Sequence, residues 1–171
     1  SHGGWDHHAN IYKEGSRNHP VLIKELDAAL SQLLKDLDST PARHSPGKTL
    51  LDETLVVCMS EFGRTPGLIS ETRKGREHYM QVHSGIFAGG GIRRGAVIGK
   101  TDDLGGKIVE SGWSGKRPIY MEDVACTIYS ALGINWTKTI DNTPSGRSFH
   151  YVEPASGTKY VGFKPVAELF A

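Results

Sequence analysis

An amphipathic helical stretch, a polar loop and a short all-apolar run follow one another in the first 60 residues, and this succession constrains the fold most. Val21, Leu22, Leu26, Ala29, Leu30, Leu33, Leu34 and Leu37 fall at i, i+3 and i+4 spacings, the signature of an amphipathic helix. Pro20 suits a first helical turn, and Asn18 or His19 the cap before it. A helix is therefore expected over about Pro20–Asp38. Lys24, Glu25, Gln32, Lys35 and Asp36 lie on its other face, so it packs on one side only. Pro41, Pro46 and Gly47 make residues 39–53 a loop. The run Thr54-Leu55-Val56-Val57-Cys58-Met59-Ser60 then reads as a strand covered on both faces. Helix, loop and buried strand together are the rhythm of a layered α/β fold.

Residues 61–83 form a long polar segment with Gly63, Pro66, Gly67 and Gly75. It starts at the C-terminal end of the expected strand, where open α/β sheets place their ligands. Residues 85–91 and 96–99 read as two short strands around a glycine-rich turn, and 100–118 as loop. Val124, Ala125, Ile128, Tyr129 and Leu132 line one face of a second helix, Met121–Leu132, which Gly133 is placed to end. Residues 134–160 read as loop and Tyr160–Phe170 as a closing strand.

The chain has 171 residues, and 20 Lys+Arg against 19 Asp+Glu leave a formal charge of +1. That balance argues against a basic nucleic-acid binder. With 37% hydrophobic residues the chain is long and apolar enough for a core. No run of apolar residues is long enough to span a membrane. Cys58 and Cys126 are too few for a disulfide framework or a four-thiolate zinc site; Cys58 reads as an inert core thiol and Cys126 as lying on a helix face. The opening SHGGWDHHAN lacks the tripartite pattern of a signal peptide. So motif-dense a start leads us to expect a piece of a longer or processed protein.

Seven of the eight histidines lie within the first 83 residues, where the candidate chemistry also concentrates. In extended backbone, Asp6 and His8 point to the same side and offer one oxygen and one nitrogen to a single ion; the alternative is a solvated, histidine-rich terminus. Glu61, at the strand's end, suits a metal ligand or a general base. Arg64 suits an anionic group, unless the two simply pair with each other. In Gly75-Arg76-Glu77-His78, His78 is a third candidate ligand and Arg76 a second anion contact; a solvated loop histidine is the competing reading. The glycines at 89–91 lack both the Walker and the dinucleotide spacings and read as a tight turn. No G-x-S-x-G elbow surrounds Ser60, a poor nucleophile candidate. A mixed carboxylate and imidazole set of Asp6, His8, Glu61 and His78 suits Zn²⁺, Mn²⁺ or similar ions.

The order of motifs adds a resemblance. Gly4-Trp5-Asp6-His7-His8-Ala9-Asn10 precedes the first helix, and Thr54–Val57 runs into Ser60-Glu61-Phe62-Gly63-Arg64-Thr65-Pro66. Gly75–His78, Gly89–Ile92, Val97–Asp102 and Asp123–Ile128 with Leu132-Gly133-Ile134 follow. This series resembles the C-terminal part of the bacterial domain-of-unknown-function family 1501, itself similar to the alkaline phosphatase and sulfatase superfamily. The resemblance covers nearly all of residues 1–171. It implies an α/β fold, the C-terminal portion of a three-layer α/β/α sandwich, in an exported or periplasmic protein.

By motif matching, Asp6, His8, Glu61 and His78 look like ligands of one or two divalent ions (Zn, Mn, Mg or Ca). The implied activity is metal-dependent hydrolysis of small anionic phosphate or sulfate esters, with Arg64 and Arg76 as the contacts for the anionic group. His7 stands where the family usually has Thr, a possible spare ligand, and Glu77 where it usually has Asp. The superfamily's nucleophile belongs to an N-terminal half this chain lacks. Little turnover by the chain alone and association through an uncovered sheet edge are therefore expected. The competing expectation is a non-catalytic binding or scaffold module of an exported bacterial protein.

Overall fold

The computed structural model describes residues 4–15, 17–153 and 162–170. The chain divides into two compact units, one of residues 1–90 with 101–109 and one of residues 91–100 with 110–171.

The first unit opens with a segment of bends and turns and then helix α1, His19–Ser39. Asn18 caps it, its side-chain oxygen accepting from the Val21 amide at 3.1 Å, and Pro20 occupies the first turn. Thr40 leaves helical geometry immediately before Pro41, whose ring disfavours a helical predecessor. Leu22 is the buried anchor of the apolar stripe, while Leu26, Leu30, Leu34 and Leu37 are half-buried. Gly4 lies against Leu22, 3.2 Å separating its missing Cβ from a Leu22 methyl.

A short helix α2, Leu50–Glu53, leads into β1, Leu55–Met59. Asp52 accepts from the Thr49 amide at 2.7 Å and closes the start of α2. Strand β1 pairs antiparallel with β4, Gly85–Gly89, from Leu55 opposite Gly89 to Met59 opposite Gly85. All five β1 residues are half-buried, rather than covered on both faces as the apolar run implied. The reason is that β1 and β4 form a two-stranded ribbon whose outer edges carry no further strand among the described residues. Between them, β2 (Gly63–Arg64) pairs antiparallel with β3 (His78–Tyr79). At Gly63 a side chain has no room, since a Cβ there would meet the Val82 carbonyl oxygen at 1.8 Å. β5 (Lys100–Thr101) and β6 (Ile108–Glu110) form a third ribbon.

Residues 96–99 carry no strand. Gly89, Gly90 and Gly91 all hold left-handed φ values and turn the chain after β4. The Gly90 amide donates to the Leu51 carbonyl at 2.9 Å, so this turn closes on α2.

The second unit is built on α3, Met121–Ala131. Gly133 (φ 70°) donates to Ser130 O at 3.0 Å and Ile134 to Tyr129 O at 2.9 Å, the paired bonds of a Schellman ending. Val124 and Cys126 are buried, and burial pushes the Cys126 thiol up to about 11. It is therefore unreactive at neutral pH. Asp123, fully buried, is the polar hub. It accepts two bonds from Arg117 at 2.6 and 2.8 Å and one each from the amides of Tyr120 (2.9 Å) and Lys164 (3.0 Å). The pairing holds the Arg117 guanidinium above its ordinary pKa, and it lies over the rings of Trp113 and Tyr120 at 5.0 and 4.9 Å. A ribbon of β7 (Thr139–Ile140) and β8 (Phe149–His150) follows. Of the expected closing strand, residues 160 and 161 lie outside the described residues. Ala167–Leu169 forms a 3-10 turn instead, leaving a single bridge between Ile92 and Phe170.

Candidate metal centre

The site is built by backbone bonds between two segments of the first unit. The Asn10 and Ile11 amides donate to the carbonyls of Arg73 and Lys74, both at 2.9 Å, and the Arg76 amide donates to His7 O at 3.0 Å. Ile11 is buried as the apolar plug of this seam. Gly75 is buried against His8, and a Cβ there would stand 2.1 Å from the His8 carbonyl carbon and 2.4 Å from the Ala9 nitrogen. Gly75→Ala must therefore push the two segments apart. A loss of metal affinity without loss of α1 helicity is expected, read by zinc titration beside circular dichroism.

The pairing of β2 with β3 sets Arg64 opposite His78, and cross-strand neighbours share a face. Both reach Asp6. His78 Nε2 and His8 Nε2 each lie 3.0 Å from Asp6 Oδ1, and 3.1 Å from one another. Arg64 Nη2 donates to the same Asp6 oxygen. That bond, seconded by His78, holds the Asp6 carboxyl down to about 2. The Asp6 share of stability is thus complete above the ordinary value of 3.8 and disappears as pH falls towards about 2.

Behind His8 stands Glu77. Its Oε2 accepts from His8 Nδ1 at 2.5 Å, while Oε1 accepts from Arg73 at 3.0 Å. The His8 bond, aided by Arg73, lowers the Glu77 pKa. A neutral His8 whose Nδ1–H donates to Glu77 presents a bare lone pair at Nε2. Three donor atoms, two imidazole nitrogens and one carboxylate oxygen, then face one point at separations of 3.0–3.1 Å. Neighbouring ligands of a tetrahedral Zn²⁺ with bonds of 2.0–2.1 Å stand about 3.3 Å apart. The residues present therefore fit a small divalent ion, with Glu77 as the carboxylate that orients the ligand histidine. Glu77→Gln is expected to weaken metal binding by about 10–100-fold, measured by chelator competition.

Other candidates lie elsewhere. Glu61 is exposed beyond β1 and outside this set. Phe62 takes the place beside the site, its ring 4.2 Å from that of His78. The Glu61–Arg64 pairing does not form, because Arg64 goes to Asp6. Arg76 directs its guanidinium to the carbonyls of Thr65 and Gly67 and clamps the loop between them. His7 turns away from the set, its ring edge-on to His19 and its Nε2 3.3 Å from Arg17 O. Burial, with His7 close by, lowers the His19 pKa. A groove of about 650 Å³ opens beside Arg64, lined also by Thr65, Leu68, Arg76, Asp103 and Leu104.

Residues 1–159 match the family described as "Protein of unknown function (DUF1501)". The chain belongs to the DUF1501 family. No curated protein and no solved structure matches it significantly. Within this DUF1501 chain, no helix among the described residues is long and apolar enough to cross a membrane.

Proposed function

We propose that this DUF1501 chain is the metal-holding part of a hydrolase of phosphate or sulfate esters, built on the C-terminal portion of an alkaline-phosphatase-like sandwich. The observation that carries the reading is the Asp6–His8–His78 triangle, with its edges of 3.0–3.1 Å and Glu77 behind His8. A divalent ion bound there supplies Lewis-acid stabilisation of charge developing on an ester oxygen. Asp6 contributes the anionic ligand, and His8 and His78 the neutral ones. Glu77 fixes the His8 tautomer. Arg64, on the wall of the adjoining groove and bonded to Asp6, is the side chain proposed to meet an anionic group. The nucleophile comes from residues outside this chain.

The test is hydrolysis of p-nitrophenyl phosphate and p-nitrophenyl sulfate by the longer parent and by this chain, each loaded with zinc or manganese. Metal-dependent turnover by the parent, abolished by Asp6→Asn and nearly absent in the chain alone, is expected. Robust turnover by the chain alone, lost in His8→Ala, would refute the assignment of the nucleophile to another segment.

A second reading, a non-catalytic binding module of an exported protein, is favoured by one observation. Both candidate anion contacts, Arg64 and Arg76, already donate to protein acceptors. Metal binding by the parent without hydrolysis of either ester would decide for it.

A further inference from the structure

Arg64 and the two histidines converge on one oxygen atom, Asp6 Oδ1. A carboxylate oxygen that serves a metal and a guanidinium serves two cations, and two cations at one oxygen repel. The Arg64 side chain is not a loose surface arginine. Its backbone is fixed in β2 opposite His78, its Nη1 donates to Arg76 O at 3.2 Å, and its guanidinium lies 5.9 Å from the Phe62 ring centre. Arg64 is three-quarters buried, with 24% of its side chain exposed, against 58% for Asp6. A charge screened so little by water acts strongly on its neighbour.

Resting on the metal reading above, we propose that Arg64 is a built-in competitor for the ion: guanidinium and divalent cation are alternative partners of Asp6, and Arg64 sets the centre's metal affinity. The arrangement limits binding to ions whose attraction to the Asp-His-His set exceeds that of the ion pair they replace. It therefore favours imidazole-preferring ions such as Zn²⁺ over Mg²⁺ and Ca²⁺, which gain little from two nitrogens. It also ties metal occupancy to the state of the groove wall, because Arg64 lines both places.

The experiment is zinc titration by chelator competition on the wild-type chain, Arg64→Gln and Arg64→Lys, with magnesium run in parallel. Arg64→Gln removes the charge and keeps a neutral donor on a shorter side chain; it is expected to bind Zn²⁺ at least tenfold more tightly than wild type. Arg64→Lys keeps the charge and is expected to stay within about threefold of wild type. In the unaltered chain, the Arg64 Nε–H resonance is expected to shift with one equivalent of zinc, a readout that needs no variant to fold. Equal or weaker zinc binding by Arg64→Gln, or an Arg64 resonance indifferent to zinc, overturns the inference and leaves the metal reading intact. Zinc bound by none of the three proteins removes the metal reading and the inference with it.

Discussion

Asp6→Asn will lower zinc affinity by at least about 100-fold while leaving the fold in place. The substitution keeps the size of the side chain and removes its charge. Asp6 supplies the anionic donor of the candidate set, and the His8 and His78 nitrogens each stand 3.0 Å from its Oδ1. An amide oxygen in that place is a weaker ligand and no longer offsets the ion's charge. Asp6 is exposed, and Asn keeps an oxygen to which Arg64 can donate, so the substitution opens no cavity and strands no core group. A site with this geometry therefore separates function from folding. Isothermal titration with zinc beside thermal unfolding checks both halves. Equal zinc affinity in the two proteins would show that the ion binds elsewhere.

Asp123→Ala will destabilise the second unit by about 3–5 kcal/mol, the cost of orphaning one member of a buried ion pair. The Asp123 side chain is wholly buried and Arg117 is 19% exposed, so water replaces neither partner. The loss is compounded because the amides of Tyr120 and Lys164 also donate to Asp123. Thr127 Oγ1 bonds Asp123 O at 2.6 Å and accepts from Val166 at 2.9 Å, extending the network to the C-terminal segment. Urea unfolding followed by tryptophan fluorescence measures the effect, since Trp113 lies against Arg117. A change below 1 kcal/mol would mean that the hub is dispensable.

The two long helices were legible because they carry enough residues for the 3.6-residue period to declare itself. Asn18, Pro20 and Gly133 punctuate them within a residue or two of the observed ends. The ribbon that builds the centre was not legible. β2 and β3 hold two residues each, too few for any alternation to register, and the pairing of Arg64 with His78 is a long-range fact. Asp6 and His8 do reach one point, but through a bend in which His8 N donates to Asp6 O at 3.2 Å rather than through extended backbone. Glu61 was placed by its neighbourhood to an apolar run, whereas the chain bends after β1 and brings Phe62 to His78 instead. Glu77, beside a candidate ligand and itself a carboxylate, was the available clue to the residue that orients His8. Its partner is 69 positions away, and no local pattern encodes such a distance. The glycines at 89–91 signalled a turn correctly, but the strand expected beyond them finds no partner among the described residues.

The most direct measurement is an anomalous difference map from a crystal of the zinc-loaded chain, collected at the zinc edge. The expected result is one strong peak about 2.0–2.1 Å from each of His8 Nε2, His78 Nε2 and an Asp6 carboxylate oxygen, with Glu77 still on His8 Nδ1. A peak at any other group of residues, or none with zinc in excess, would contradict it.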